Sequence, residues 1–248
     1  MKKLSHGFTL IELMVVIGIL GLLMGVLVPK IADSMNNAKV TAATVQGRNL
    51  YQAILAAGLN HPDKDDNALW PRSSENKGDD STDITGMTFG SSTEYFKELF
   101  DLQNYGSKNW RPYLGKSADV SLLYGCGVPS FEGKNIQSKN VMWAVAQGVT
   151  SDLDEVVPVL VTRNCAIDKL HTSGEFNGTT STEVGVGKDN GGESDIPFGS
   201  DLYVMVRKGG TVDRMEARYS KLYEIYKRKS FTIADGNGFK YLKTGTSE

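Results

Sequence analysis

Apolar residues are spread very unevenly along the chain, and almost all of the continuous apolar sequence lies before residue 30. From Leu13 to Val28 sixteen residues carry no charge, and all but three glycines are apolar. Extended back to Phe8 the stretch has 21 residues. As a helix rising ~1.5 Å per residue this is about 31 Å, the thickness of a bilayer core. No other stretch comes near it, so the pattern predicts at most one membrane span, over residues 8–28. Lys2 and Lys3 precede it, and the positive-inside tendency keeps that end in the cytoplasm and sends the rest outward.

Beyond the span, Ile31, Met35, Ala38, Ala42 and Val45 recur at spacings of three and four, and Leu50, Ile54 and Ala57 continue the stripe with a small shift. This periodicity predicts helix. Residues 8–59 then form one rod of roughly 75 Å, membrane-embedded in its first half and packed on a globular domain in its second. Gly58, Asn60 and Pro62 supply the stop. Pro29 lacks a backbone donor and is expected to kink or locally melt the rod. Gly18, Gly21 and Gly25 share one face, where they either let another helix approach closely or are simply tolerated spacers.

Residues 60–92 are polar and read as a long surface loop, pinned locally by Leu69, Trp70, Ile84 and Met87. Ser91 and Glu94 have capping-box spacing ahead of a short helix over 93–102. Val141–Val149, Val156–Thr162 and Leu202–Lys208 read as strands bounded by Gly, Pro or Asn, and Gly209-Gly210 as a turn. Met215, Tyr219, Leu222, Tyr223 and Tyr226 repeat at helical spacing and predict a helix over 214–228, its tyrosines serving as core. Phe231–Ala234 adds a final strand, and the last residues fray. The predicted class is α+β, with an antiparallel sheet in a domain spanning 60–248 laid against the second half of the helix.

Composition adds limits. The sequence has 248 residues, 40% hydrophobic, which suffices for a core and excludes full disorder. With 27 Lys+Arg against 29 Asp+Glu, no basic surface is imposed, and no nucleic acid is required as a partner.

One residue does not fit a simple anchor. Glu12 lies inside the apolar stretch, where a carboxylate costs about 2.5–3.5 kcal/mol on insertion scales and so either snorkels to the headgroup level or has a partner. No small-x-small cleavage site follows the run, which argues against an ordinary secretory signal. The segment Gly7-Phe8-Thr9-Leu10-Ile11-Glu12-Leu13-Met14-Val15-Val16-Ile17, behind its short basic leader, resembles the processing and methylation signal of type IV prepilins and type II secretion pseudopilins. The resemblance covers about the first 30 residues closely and the following helix loosely.

It implies a pilin-like fold and a defined pathway. A membrane prepilin peptidase cuts between Gly7 and Phe8, removes leader 1–7 and N-methylates Phe8. The mature chain keeps 25 basic and 29 acidic residues, a formal charge of −4. Glu12 gains its partner in the Phe8 amino group of a neighbouring subunit, and the buried pair sets register during assembly. A proline at the position of Pro29 is common in such helices. The implied partners are other pilin or pseudopilin subunits and an inner-membrane assembly platform. The implied location is the inner membrane, as a single span with the C-terminal domain in the periplasm. The function expected first is a pseudopilin of a type II secretion filament, and second a type IV pilus pilin serving adhesion, motility or DNA uptake. An enzyme or ligand-binding domain displayed on such an anchor comes third.

Cys126 and Cys165 fall on the non-cytoplasmic side, where disulfides persist. A bond between them would close a loop of about 40 residues, worth about 4 kcal/mol in the chain-entropy view; the alternative is two buried thiols. Pilins usually close a loop nearer the C-terminus, so this pair departs from their pattern. Asp63, Asp65 and Asn67 begin like a calcium loop, but Ala68 and Ser74 occupy its glycine and glutamate positions. Asp189, Asn190, Glu193 and Asp195, or Asp235 and Asn237, are weaker calcium candidates, so no metal or other cofactor is expected. Gly187-Lys188 lacks the rest of a phosphate loop, and His61 and His171 lack metal-ligand spacing. No catalytic residue is expected and the chain reads as a non-enzyme.

Overall fold

The computed structural model describes residues 8–61, 69–72, 84, 87–115, 119–186, 198–199, 201–234 and 238–245. It divides into two compact units, the first ending at Ala38 and the second running from Lys39. Helix α1, Leu10–Leu59, contributes to both. The first unit is the apolar half of this helix, where the large hydrophobic side chains from Phe8 to Val28 are 45–79% exposed. Pro29 lies inside α1, which remains helical on either side instead of melting there.

In the second unit the buried face of α1 is Val40, Ala43, Gly47, Leu50, Tyr51, Ile54 and Gly58. Leu50 and Ile54 belong to the predicted stripe. Ile31, Met35, Ala38, Ala42 and Val45 do not: all five are exposed. The residue that decides the phase is Gly47. A Cβ there would stand 2.6 Å from Trp143 Cη2 and 2.9 Å from Val206 Cγ2, so the missing side chain lets the helix lie directly on the sheet. A hydrophobicity pattern gives glycine no weight and therefore misplaces this face.

The sheet is assembled from β1 Trp143–Gln147, β2 Pro158–Thr162, β4 Leu202–Arg207, β5 Val212–Glu216 and β7 Lys240–Leu242, in the spatial order β5-β4-β2-β1-β7. All neighbours are antiparallel, with Trp143 opposite Thr162, Val145 opposite Leu242, Val161 opposite Met205 and Tyr203 opposite Met215. The three central strands are buried along their whole length, and Trp143 and Val206 meet α1 at Gly47. This explains their continuous rather than alternating apolar sequence. A separate two-stranded ladder pairs β3, Gly174–Phe176, with β6, Phe231–Ile233.

The predicted β4–β5 turn is present: Arg207 donates to Thr211 and Gly210 donates to Arg207. It docks on α1 through the Tyr51 hydroxyl, which donates to the Lys208 carbonyl. The predicted helix over 214–228 is corrected. Asp213 to Glu216 are strand, paired edge to edge with β4; a 3-10 turn follows at Ala217–Tyr219 and a short α-helix, α3, at Leu222–Ile225. The ladder outweighs the helical spacing, because Tyr203 and Met215 are cross-strand partners. Of the tyrosine stripe, Tyr226 is in the core while Tyr219 is 60% exposed, with Arg218 stacked on its ring.

Helix α2, Ser92–Leu99, begins where its box predicts. Ser91 Oγ accepts from the Glu94 N–H, while the Glu94 carboxylate takes the Gly90 N–H rather than that of Ser91. Ser92 locks α2 to the sheet, its hydroxyl donating to Leu242 O at 2.7 Å and accepting from Val145 N at 3.0 Å. That contact holds β7, a strand of three residues too short to show a pattern. The pinning residues of the polar stretch behave as expected, with Leu69, Trp70 and Ile84 buried and Met87 partly so.

Candidate functional site

The first turn of α1 carries the sequence-predicted site. Gly7 lies outside the described residues. Phe8 is 79% exposed. Glu12 is held by Thr9: its Oε2 accepts from Thr9 N at 2.8 Å and from Thr9 Oγ1 at 2.6 Å, while Glu12 N donates to Thr9 Oγ1 at 3.3 Å. This is a reciprocal capping box, and it satisfies two N–H groups that a helix start leaves without partners. Thr9 was legible as a Thr-x-x-Glu spacing but is hidden behind the stronger glutamate signal. Thr9 thus holds the carboxylate at the N-terminal end of the helix.

Next to this polar turn the helix is apolar on every side. The exposed set Leu10, Ile11, Leu13, Met14, Val15, Val16, Ile17 and their successors to Val28 form no one-sided stripe. A helix apolar all round is stable only in lipid or among other helices. Among the described residues, α1 is the one helix long and apolar enough to cross a membrane. Nothing approaches within 4 Å of a Cβ built at Gly18, Gly21 or Gly25, so these glycines are open to a neighbour.

Of the two alternatives the sequence leaves open for Cys126 and Cys165, the structure describes them as thiols with no bond between them. Each is committed to a different surface. Cys126 sits at φ 56° in a turn and its Sγ donates to Gln46 Oε1 on α1 at 3.4 Å. Cys165 is buried in the bend after β2, its N–H donating to Thr162 O. Burial pushes both thiols above the ordinary cysteine range, and Lys39 offsets this only partly at Cys126. Thiols held protonated are weak nucleophiles.

The calcium candidates at 63–67, 189–195, 235 and 237 lie outside the described residues, as does Gly187-Lys188. Among the described residues no group of three or more His, Cys, Asp or Glu is placed to hold a metal ion. His171 packs on Phe176, Tyr226 and Phe231, with Nε2 3.1 Å from Gly174 O, as part of an aromatic cluster. An open groove of about 850 Å³ runs beside β5 and α3. Its cations meet carboxylates of the same groove, Arg207 and Lys227 on Asp213 and Arg218 on Glu216, so its charge is largely neutralised internally.

Comparison with known proteins points to the first turn of α1 as well. The prokaryotic N-terminal methylation motif matches residues 2–28. A fimbrial protein of Neisseria meningitidis serogroup A is 38% identical over 87 residues, 35% of this chain and 48% of that protein. The type IV major pilin protein PilE of Neisseria gonorrhoeae is 36% identical over 78 residues, 32% of this chain and 43% of its own length. A fimbrial protein of Neisseria meningitidis serogroup B is 40% identical over 81 residues, 32% of this chain and 48% of its own length. The chain spans about half the length of the curated relatives it matches. No solved structure matches it. A prepilin-type methylation motif, a long apolar N-terminal helix and an antiparallel sheet domain behind it are features in which this chain resembles the type IV pilins.

Proposed function

We propose that this chain is a structural subunit of a type IV pilus-like fibre and not a catalyst. The observation that carries the reading is the first half of α1: an apolar surface left exposed among the described residues, opening on a capped carboxylate four positions from Phe8. The surface is built to be covered first by lipid and then by copies of itself. Prepilin peptidase removes residues 1–7 and methylates Phe8. The span 8–28 holds the subunit in the inner membrane with the domain in the periplasm, and an assembly platform there feeds it into the fibre. In the fibre, Glu12 exchanges the Thr9 donors, or shares them, with the amino group of a neighbour's Phe8. In so apolar a setting that charge pair fixes axial register.

The pilus reading stands ahead of the secretion pseudopilin because the similar curated proteins bear the names of fimbrial proteins and type IV major pilins. The test has two parts. Mass spectrometry of the mature N-terminus is expected to find N-methylated Phe8, and a chain starting at Met1 would sink the whole assignment. Electron microscopy of fibres sheared from the cell surface, with the chain identified in them, separates the two readings. Retention of all the methylated protein in the envelope would favour the secretion filament.

A further inference from the structure

We infer that Asn177 is an N-glycosylation site, accepting an oligosaccharide from a lipid-pyrophosphate donor on the outer side of the membrane. Asn177-Gly178-Thr179 is the single Asn-x-Ser/Thr tripeptide in the sequence. The inference rests on the outward orientation of the domain in the fibre reading, since lipid-linked glycans are transferred on that side.

The local geometry suits the chemistry. Asn177 follows β3 directly and is exposed, as is Thr179. Three donors converge on Asn177 Oδ1: Thr179 N at 3.0 Å, Thr179 Oγ1 at 2.9 Å and Thr180 Oγ1 at 3.3 Å. Hydrogen bonds to an amide oxygen stabilise the negative charge that grows there as a proton leaves the amide nitrogen, and so favour its nucleophilic imidate form. Nδ2 itself donates to nothing among the described residues. Transfer then balances without any redox partner. Nδ2 gives one proton to a transferase carboxylate and forms a bond to the sugar C1. The C1–oxygen bond breaks, and the lipid pyrophosphate leaves with the bonding pair.

The turn is also held in place. Phe176 is buried against Tyr226 and Phe231, and the Thr180 carbonyl accepts from Tyr223 N at 3.0 Å. Gly178 has φ +74°, and a Cβ there would stand 2.6 Å from the Arg228 carbonyl oxygen, so only glycine fits between the acceptor and its hydroxyl. The segment from Ser181 to Glu183 is exposed and leaves room for a transferase.

The test is peptide mass spectrometry on the full chain from the membranes of the cells that make it, with Asn177→Gln, Thr179→Val and Thr179→Ser variants. A sugar mass on the Asn177 peptide is expected, lost with Gln and Val and kept with Ser. An unmodified peptide, the mass of deamidation alone, or sugar that persists in Asn177→Gln would each overturn the site. The same spectra report Phe8, which separates the two claims. A methylated chain without sugar overturns only this site, and a glycosylated chain starting at Met1 overturns only the fibre reading.

Discussion

Helix α1 uses one backbone geometry in two opposite ways. Between Leu10 and Ala38 its large apolar side chains are exposed, whereas from Val40 to Gly58 seven positions are buried in its own domain. An apolar side chain gains about 1.5–3 kcal/mol when fully buried. In the second unit that energy holds the fold together. In the first it is withheld from the fold, which leaves it for lipid and for neighbouring subunits. The contrast teaches that mutations should separate cleanly, into those that unfold the domain and those that spare it but stop assembly.

The sharpest way to break this comparison is Trp143→Ala. Trp143 is fully buried under Gly47, and its Nε1 donates to Leu122 O at 3.0 Å. Its removal should cost about 3–5 kcal/mol and lower the thermal midpoint of the detergent-solubilised chain, with Phe8 methylation unchanged. A domain that melts normally would mean that α1 does not depend on this contact. Glu12→Ala is the mirror experiment. Fibre yield should fall about tenfold or more, equivalent to about 1.4 kcal/mol or more, while the melting curve stays put. Normal fibre yield would remove the registry role.

A third measurement concerns the buried tyrosines. Burial raises Tyr95, Tyr203, Tyr226 and Tyr241 above the ordinary range. The folded state therefore holds protons that the unfolded chain releases above pH ~10. Their contribution is fully present below that pH and is lost as pH rises towards the folded values. Each such tyrosine should cost about 1.4 kcal/mol of stability per pH unit in that window. A flat stability profile from pH ~9 to ~11 would show that these hydroxyls are not buried. The smallest effect sharpens the helix face itself. Val45→Gln, at an exposed position of the predicted stripe, should change stability by less than about 0.5 kcal/mol. Gly47→Ala, two residues on, should cost about 1–3 kcal/mol by overpacking. Equal effects would restore the predicted phase.

Much of this was legible in the sequence by itself. The apolar run announced a long apolar N-terminal helix, and Gly7, Phe8 and Glu12 announced the prepilin-type methylation motif at its start. The β-branched and aromatic runs at 141–149, 156–162 and 202–208 announced strands, observed as Trp143–Gln147, Pro158–Thr162 and Leu202–Arg207, and Ser91 announced the start of α2. These features depend on local composition and on spacing along one element, which a linear sequence records. Other features depend on what meets across the fold, and only the tertiary structure decided them. The buried face of α1 turns on the absence of a side chain at Gly47. Residues 213–216 became a strand because β4 offered a ladder. Cys126 meets α1 through Gln46 while Cys165 lies in the core, two surroundings that their spacing along the chain does not record. Even the partner of Glu12 within its own chain, Thr9, was spelled out by spacing, yet its carboxylate geometry appeared only once the helix had a first turn.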